Sequence, residues 1–171
     1  MLNRHEIESF IKEKKLITNY INLETQLTPN GFDLTVESLF EFDSAGALDF
    51  SNKERVTPEG KAILPQKNNP DDKFGWWTLV KGVYKIKTNE VVTLSKDLIA
   101  ISFPRSSLLR MGAFTHTGVW DTGFSGKSEF ILVVENPQGV RIKQNARVVQ
   151  LIFTHINETE HGYSGMYQNS E

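Results

Sequence analysis

The chain has 171 residues, 39% of them hydrophobic and 23% charged, with a formal net charge of −2. This is the make-up of an ordinary folded domain with a packed core, and it excludes a global field that would draw nucleic acid or an anionic membrane. Cysteine is absent, so disulfides, thiolate metal sites and thiol catalysis are excluded together; with a charged opening, "MLNRHEIESF", and no apolar run of bilayer length, the expected setting is a reducing cytoplasm.

In chain order, Ile7, Phe10, Ile11 and Lys14 recur at helical spacing and predict a short amphipathic helix over about 4–14. Asn3 stands where a cap belongs, and Glu6 three residues later completes a capping box. The turn Pro29-Asn30-Gly31 then leads into the alternation Phe32, Leu34, Val36, which reads as a strand. Residues 43–75 mix turn formers with short apolar pieces and read as a hairpin and a long loop, with "NNPDD" a surface turn. From Trp76 to Phe103 three alternating runs are expected, broken at Lys81-Gly82, Thr88-Asn89 and Lys96-Asp97. "PRSSLLRMG" predicts a helical turn pinned by Leu108, Leu109 and Met111, and two or three further strands lie around "NPQG" and "KQNA". A polar tail, about 157–171, has no periodic pattern and is expected to be flexible. With about ten short strands, no repeat and no break in composition, the chain reads as one all-β domain: a sandwich, jelly roll or distorted barrel.

Chemistry concentrates between Phe103 and Phe130. Arg105, Ser106 and Ser107 open the helical turn, where backbone N–H groups, hydroxyls and a guanidinium suit phosphate oxygens; ordinary capping with an arginine paired to a surface carboxylate is the alternative. Arg110 has the same two readings. Asp121 stands beside a glycine turn, where a carboxylate can act as general base on water or make a turn hydrogen bond. Phe124, inside that turn, can stack on a flat ring or fill the core. Asp33 at a strand entrance is tolerated inside a sheet only when paired or wet, and a solvent-facing edge position is the simpler expectation. Arg147 and Gln150 fall on opposite faces of an apolar strand, and Arg147 reads as half of a structural ion pair. Trp76 and Trp77 read as core or interface. The four histidines, at 5, 116, 155 and 161, lack the spacing of a metal motif.

Taken in order, "NGFDL", "RSSL", "GVWDTGFSG" and "NARVVQL" resemble the motif series of the dUTPase and dCTP deaminase superfamily. "LNRHEIESFI", "TPNGFDLTV" and "GYSGMYQ" are similar to its deaminase-type branch and archaeal dUTPase relatives. The resemblance implies a distorted jelly roll with a short N-terminal helix, assembled as a homotrimer with sites at subunit interfaces. It further implies that Asp121 contacts a deoxyribose 3′-hydroxyl and orients the attacking water, with Arg110 beside it in the catalytic set. Phe124 would stack on the sugar, and Arg105, Ser106 and Ser107 would hold a triphosphate. Asp33 would serve water-mediated Mg²⁺ binding, and Gln150 would belong to the fourth motif. Backbone around Thr115, Gly118 and Val119 would read the pyrimidine edge, and Tyr163, Tyr167 and Gln168 would close over the nucleotide. The implied activity is Mg²⁺-dependent hydrolysis of dUTP to dUMP and pyrophosphate.

The two branches part at one position. The deaminases carry a catalytic glutamate ten residues beyond the aspartate, where this chain has Ile131. Isoleucine cannot shuttle a proton. Glu129 lies two residues earlier on the same strand face, about 7 Å away, so a dCTP deaminase, alone or bifunctional, stays open. So does a nucleotide-binding homologue without catalysis, against which intact Asp121, Arg105 and Ser106 argue. Gly123 replaces the second aspartate of the usual dUTPase turn, Asn145 replaces a glycine, and no glycine-rich fifth motif is present.

Overall fold

The computed structural model describes residues 1–170. Helix α1 (Arg4–Lys14) begins at the expected capping box: the Asn3 side chain accepts from the Glu6 amide, and Glu6 accepts from the Asn3 amide. It buries Ile7 and Ile11, and the Leu2 amide ties its start to Phe153. Strand β1 (Ile17–Thr18), the single turn α2 (Leu23–Gln26) and β2 (Leu27–Thr28) lead into β3 (Gly31–Glu41). The long excursion that follows carries only β4 (Lys61–Ile63) and isolated bridges, Ala47 to Val56 and Gln66 to Trp76. Then come β5 (Trp76–Leu79), β6 (Gly82–Thr93), β7 (Leu98–Pro104) and the turn α3 (Ser106–Arg110). The chain continues through β8 (Ala113–His116), β9 (Ser125–Val134), β10 (Val140–Lys143) and β11 (Arg147–His155).

Nine strands form one antiparallel sheet in the order β7-β11-β3-β6-β9-β8, with β1 on β6 and both β2 and β4 on β3. Its two ends meet where Ala100 of β7 bridges Trp120, just past β8, and the Ser102 and Thr117 hydroxyls lie 2.8 Å apart. The result is the distorted jelly roll, nearly closed as a barrel. Strands β5 and β10 form a small second sheet. Trp77 is core, its indole N–H donating to the Ile63 carbonyl at 2.7 Å, whereas Trp76 lies under Arg141 and Lys143. No helix among the described residues is long and apolar enough to cross a membrane.

Two expectations need correction. The break at Thr88-Asn89 is no turn: β6 runs through it as a bulge, three residues, Thr88 to Glu90, standing opposite Ser128 alone. The broken ladder is repaired by side chains. The Thr88 hydroxyl accepts from the Ser128 amide, and Asn89 donates to Thr35 and to Asn145. Asp33 does not face solvent on an edge. It sits in a stretch of β3 buried on both faces, paired with Gln150 of β11. Asn145 holds φ +66°, the left-handed conformation that asparagine tolerates in place of glycine.

Candidate active site

Asp121 is presented by a turn whose backbone is pinned on every side. Before it, Trp120 is buried, exchanges both main-chain hydrogen bonds with Ala100, and donates its indole N–H to Ser128 Oγ at 2.8 Å. After it, the Phe124 amide donates back to the Asp121 carbonyl at 3.1 Å, and Gly123 takes φ +75°. The Asp121 side chain itself is exposed and opens into a cavity of about 750 Å³, within the size range of small-molecule sites. The outer faces of β3, β6 and β9 floor that cavity with Phe40, Lys85, Glu129 and Ile131. Gly118 and Val119 form one wall, Phe42 and Thr57–Glu59 the other, and Tyr163 and Tyr167 of the tail lie over it. Phe124 does two jobs: it is 9% exposed within the core, yet lines the cavity, its ring edge-on to Tyr163 at 5.6 Å.

A second cavity, of about 310 Å³, is lined by Thr28, Asp33, Pro104, Arg105, Ser106 and Gln150. Arg105 stands at the cap position of α3 without capping it. Its guanidinium turns instead to Asp33, Nε to Oδ2 2.9 Å, and Arg147 reaches the same oxygen at 3.2 Å. Burial pushes the Asp33 carboxyl above its ordinary range, with both guanidiniums opposing. Gln150 donates to the Thr28 hydroxyl. A buried carboxylate thus fixes two cations at the edge of a polar hollow whose next residue is a serine at a helix start.

The expected site residues fall into three groups. Asp121, Gly118, Val119, Phe124, Tyr163 and Tyr167 share the large cavity; Asp33, Arg105, Ser106 and Gln150 share the small one; the two have no lining residue in common. Ser107 and Arg110 are exposed and line neither. Thr115 points its side chain inward, its hydroxyl unpaired, while its backbone pairs with Leu132. Gln168 grips the Asp121 turn, accepting from the Ser125 amide and donating to the Gly123 carbonyl, both at 3.0 Å. The tail therefore lies along its own turn, with the Tyr163 amide on the Thr122 carbonyl at 2.6 Å. Glu171, the last residue of the expected tail, lies outside the described residues. The floor residues Lys85 and Phe40 and the 57–59 wall were not anticipated. Alternation in "GVYKIK" places Lys85 on the outer face, but nothing local says that this face floors a cavity.

A family model described as dCTP deaminase-like matches residues 1–156. The chain belongs to this dCTP deaminase-like family. Across 99% of its length it is 44% identical to a Methanosarcina mazei protein named "probable deoxyuridine 5'-triphosphate nucleotidohydrolase", covering 96% of that relative. An Archaeoglobus fulgidus protein of the same name is 41% identical over 98% of this chain and 95% of its own length. The Methanocaldococcus jannaschii deoxyuridine 5'-triphosphate nucleotidohydrolase is 32% identical over 85% of this chain and 88% of its own. In fold, the chain is similar to the 2'-deoxycytidine 5'-triphosphate deaminase of Agrobacterium tumefaciens, with TM-score 0.61 and 18% identity over 89% of this chain. It spans about half of that structure, 47%.

Within this dCTP deaminase-like frame, the position ten residues beyond Asp121 is Ile131, an apolar side chain on the cavity floor. Glu129 faces the same cavity, its carboxylate 3.1 Å from Lys85 Nζ. For Mg²⁺, the donor chemistry fits a mode in which substrate phosphates and water carry most of the coordination. No cluster of three or more metal-ligating side chains exists among the described residues of the single chain. Asp33 is the one carboxylate on the small cavity, which suits an ion carried mainly by substrate phosphates and water.

Proposed function

We propose that the protein is a dUTP diphosphatase, hydrolysing dUTP to dUMP and pyrophosphate at sites assembled between the subunits of a homotrimer. The observation that carries this reading is Asp121: an exposed carboxylate on a backbone-pinned glycine turn, opening into a cavity that holds an aromatic platform and, at position 131, no acid. Full-length similarity to proteins named as dUTP nucleotidohydrolases supports it.

In this reading Asp121 holds the 3′-hydroxyl and a water, and takes the water's proton as its oxygen bonds to phosphorus and pyrophosphate departs. Phe124 and Tyr163 seat the sugar. Arg105 and Ser106 meet the triphosphate, Arg105 already aimed by Asp33 so that little reorganisation is needed. Gln150 supports that hollow, and Tyr167 and Gln168 shut out bulk water with the tail. Mg²⁺, when bound, would offset phosphate charge, and Asp33 would be the residue that holds it, through water. Ser107 and Arg110, exposed and off both cavities, are assigned to the triphosphate and to the catalytic set, and the Thr115 backbone to the base edge.

Glu129 favours dCTP deamination as the second reading, because a carboxylate does face the cavity. Its pairing with Lys85 ties it away from that chemistry. Incubation with dUTP and dCTP separately, with Mg²⁺, separates the readings. Pyrophosphate from dUTP alone is expected; ammonia from dCTP would establish the deaminase, and binding without turnover a non-catalytic homologue.

A further inference from the structure

The buried residues of β9 run Gly126, Ser128, Phe130, Leu132 and Val134, so Ser128 sets one hydroxyl into an otherwise apolar row. It is 4% exposed, and a hydroxyl so placed is costly unless it is bonded. Its partner, at 2.8 Å, is the indole N–H of Trp120, which is also buried. Trp120 immediately precedes Asp121, and its main chain meets β7 at a single bridge, to Ala100. One bridge leaves the chain free to pivot about it. A directional bond from the far side of the ring removes that freedom. Ser128 is held in its turn by the β6 bulge. Its amide donates to the Thr88 hydroxyl at 3.2 Å, and that hydroxyl donates to the Glu90 carbonyl at 3.3 Å. Asn89, the middle residue of the bulge, donates to the Thr35 hydroxyl at 2.8 Å and to Asn145 Oδ1 at 3.0 Å. The bulge is thereby fastened to β3 and to the turn before β11.

We propose that Ser128 is a positioning residue for catalysis, passing the rigidity of the β6 bulge through the Trp120 indole to the Asp121 carboxylate. The proposal rests on the diphosphatase reading and deepens it by naming what aims the acid. Ser128 has no need to touch the reacting atoms. Apolar groups of the same shape in place of the hydroxyl and the indole N–H would fill the space at little cost in stability. What they would not supply is direction. The attacking water must lie in line with the departing pyrophosphate, and a misplacement of about 1 Å can cost on the order of a hundredfold in rate. In this reading the phosphates and the sugar face rest on other groups, so binding feels the same error far less.

Single-turnover cleavage of dUTP and calorimetric titration with dUMP test this on Ser128→Ala, Trp120→Phe and the double variant. Ser128→Ala should cleave at least about tenfold more slowly than wild type while dUMP affinity stays within about threefold. Trp120→Phe, which keeps an aromatic ring but loses the N–H donor, should show the same split and serves if the alanine variant does not fold. The double variant should be no slower than the slower single variant, because both changes remove one bond. Rate and dUMP affinity falling together would make Ser128 structural and overturn the proposal. Effects of the two changes that multiply would overturn it, as would failure of both single variants to fold. If wild type cleaves dUTP and the folded variants match its rate, the positioning role fails and the diphosphatase reading stands. If wild type does not cleave dUTP, the diphosphatase reading itself fails, and the proposal with it.

Discussion

At Asp121 the sequence places an acid next to a turn, and the fold removes its freedom. Trp120 locks one side and the Phe124 amide the other, and the carboxylate, which makes no hydrogen bond among the described residues, stays exposed to the cavity. Asp121→Asn keeps size and geometry but cannot accept a proton. Turnover of dUTP should fall to background while dUTP affinity changes less than about tenfold; equal loss of binding and rate would make Asp121 a structural residue. Asp121, Arg105 and Ser106 stand out as candidates because their neighbours form motifs, and each lines a cavity. Asp33 could not be placed by local pattern, since whether an aspartate is edge or interior depends on which strands arrive later in the chain. Here they are β11 and its Arg147. Lys85 was invisible as a cavity-floor residue for the same reason: that position depends on the excursion carrying Phe42 and residues 57–59 across it.

Among the elements, β6 combines a strand with a hidden acid. Its inward face runs Tyr84, Ile86, Thr88, Glu90, Val92, so alternation survives the bulge but places a carboxylate at 0% exposure. Glu90 accepts from Gln26 at 2.7 Å, from the Thr35 amide at 2.9 Å and from the Thr35 hydroxyl at 2.6 Å, and Gln26 also donates to the Asp33 carbonyl. Burial raises the Glu90 pKa above its ordinary 4.5, these hydrogen bonds opposing. The folded state therefore holds the proton more tightly than the unfolded chain. The stabilisation from this group is whole below pH 4.5 and is lost as pH rises through the raised folded value. The Tm of wild type minus that of Glu90→Gln, followed by calorimetry, should fall as pH climbs from below 4.5 toward neutrality; a constant or rising difference would contradict the raised pKa. The tail is the other element at issue. A Cβ on Gly123 would stand 2.9 Å from Gly162 Cα, at a left-handed φ of +75°. Gly123→Ala should cost about 1–2 kcal/mol in backbone strain and lift the tail off the turn. Chymotrypsin should then cut at Tyr163 and Tyr167 several-fold faster than in wild type, and an unchanged rate would mean that the tail does not depend on this contact. Helix α1 and most strands were legible from periodicity. The bulge was not, because a polar triplet that repairs its own ladder looks like a turn until its partners are known. The packed tail was not, because its bonds are made to backbone rather than by any repeating apolar pattern.

The molecule as a whole keeps its two sets of ligand-facing groups apart. Asp121, Phe124 and Tyr163 open on one cavity, Arg105, Ser106 and Gln150 on another. In the diphosphatase reading a dUTP molecule needs both sets, which is the physical content of the proposed trimer: one subunit would supply the carboxylate and its neighbour the cations. Asp121→Asn and Arg105→Ala should each be inactive alone and should regain dUTP hydrolysis when mixed under conditions of subunit exchange. Failure to complement, with exchange verified by mass spectrometry, would place each complete site within one chain. The all-β class was readable from strand spacing and the jelly roll through the resemblance; the trimer is expected only from that resemblance, since no single window of sequence records what a second copy contributes.

The tail bonds described above also make the proposed closure observable by light. Met166 is 58% exposed and lies between Tyr163 and the Gln168 grip on the turn. Because the chain has no native thiol, Met166→Cys would be the sole attachment point for a fluorescent dye. Stopped-flow emission from that dye would time the strap's movement separately from bond cleavage.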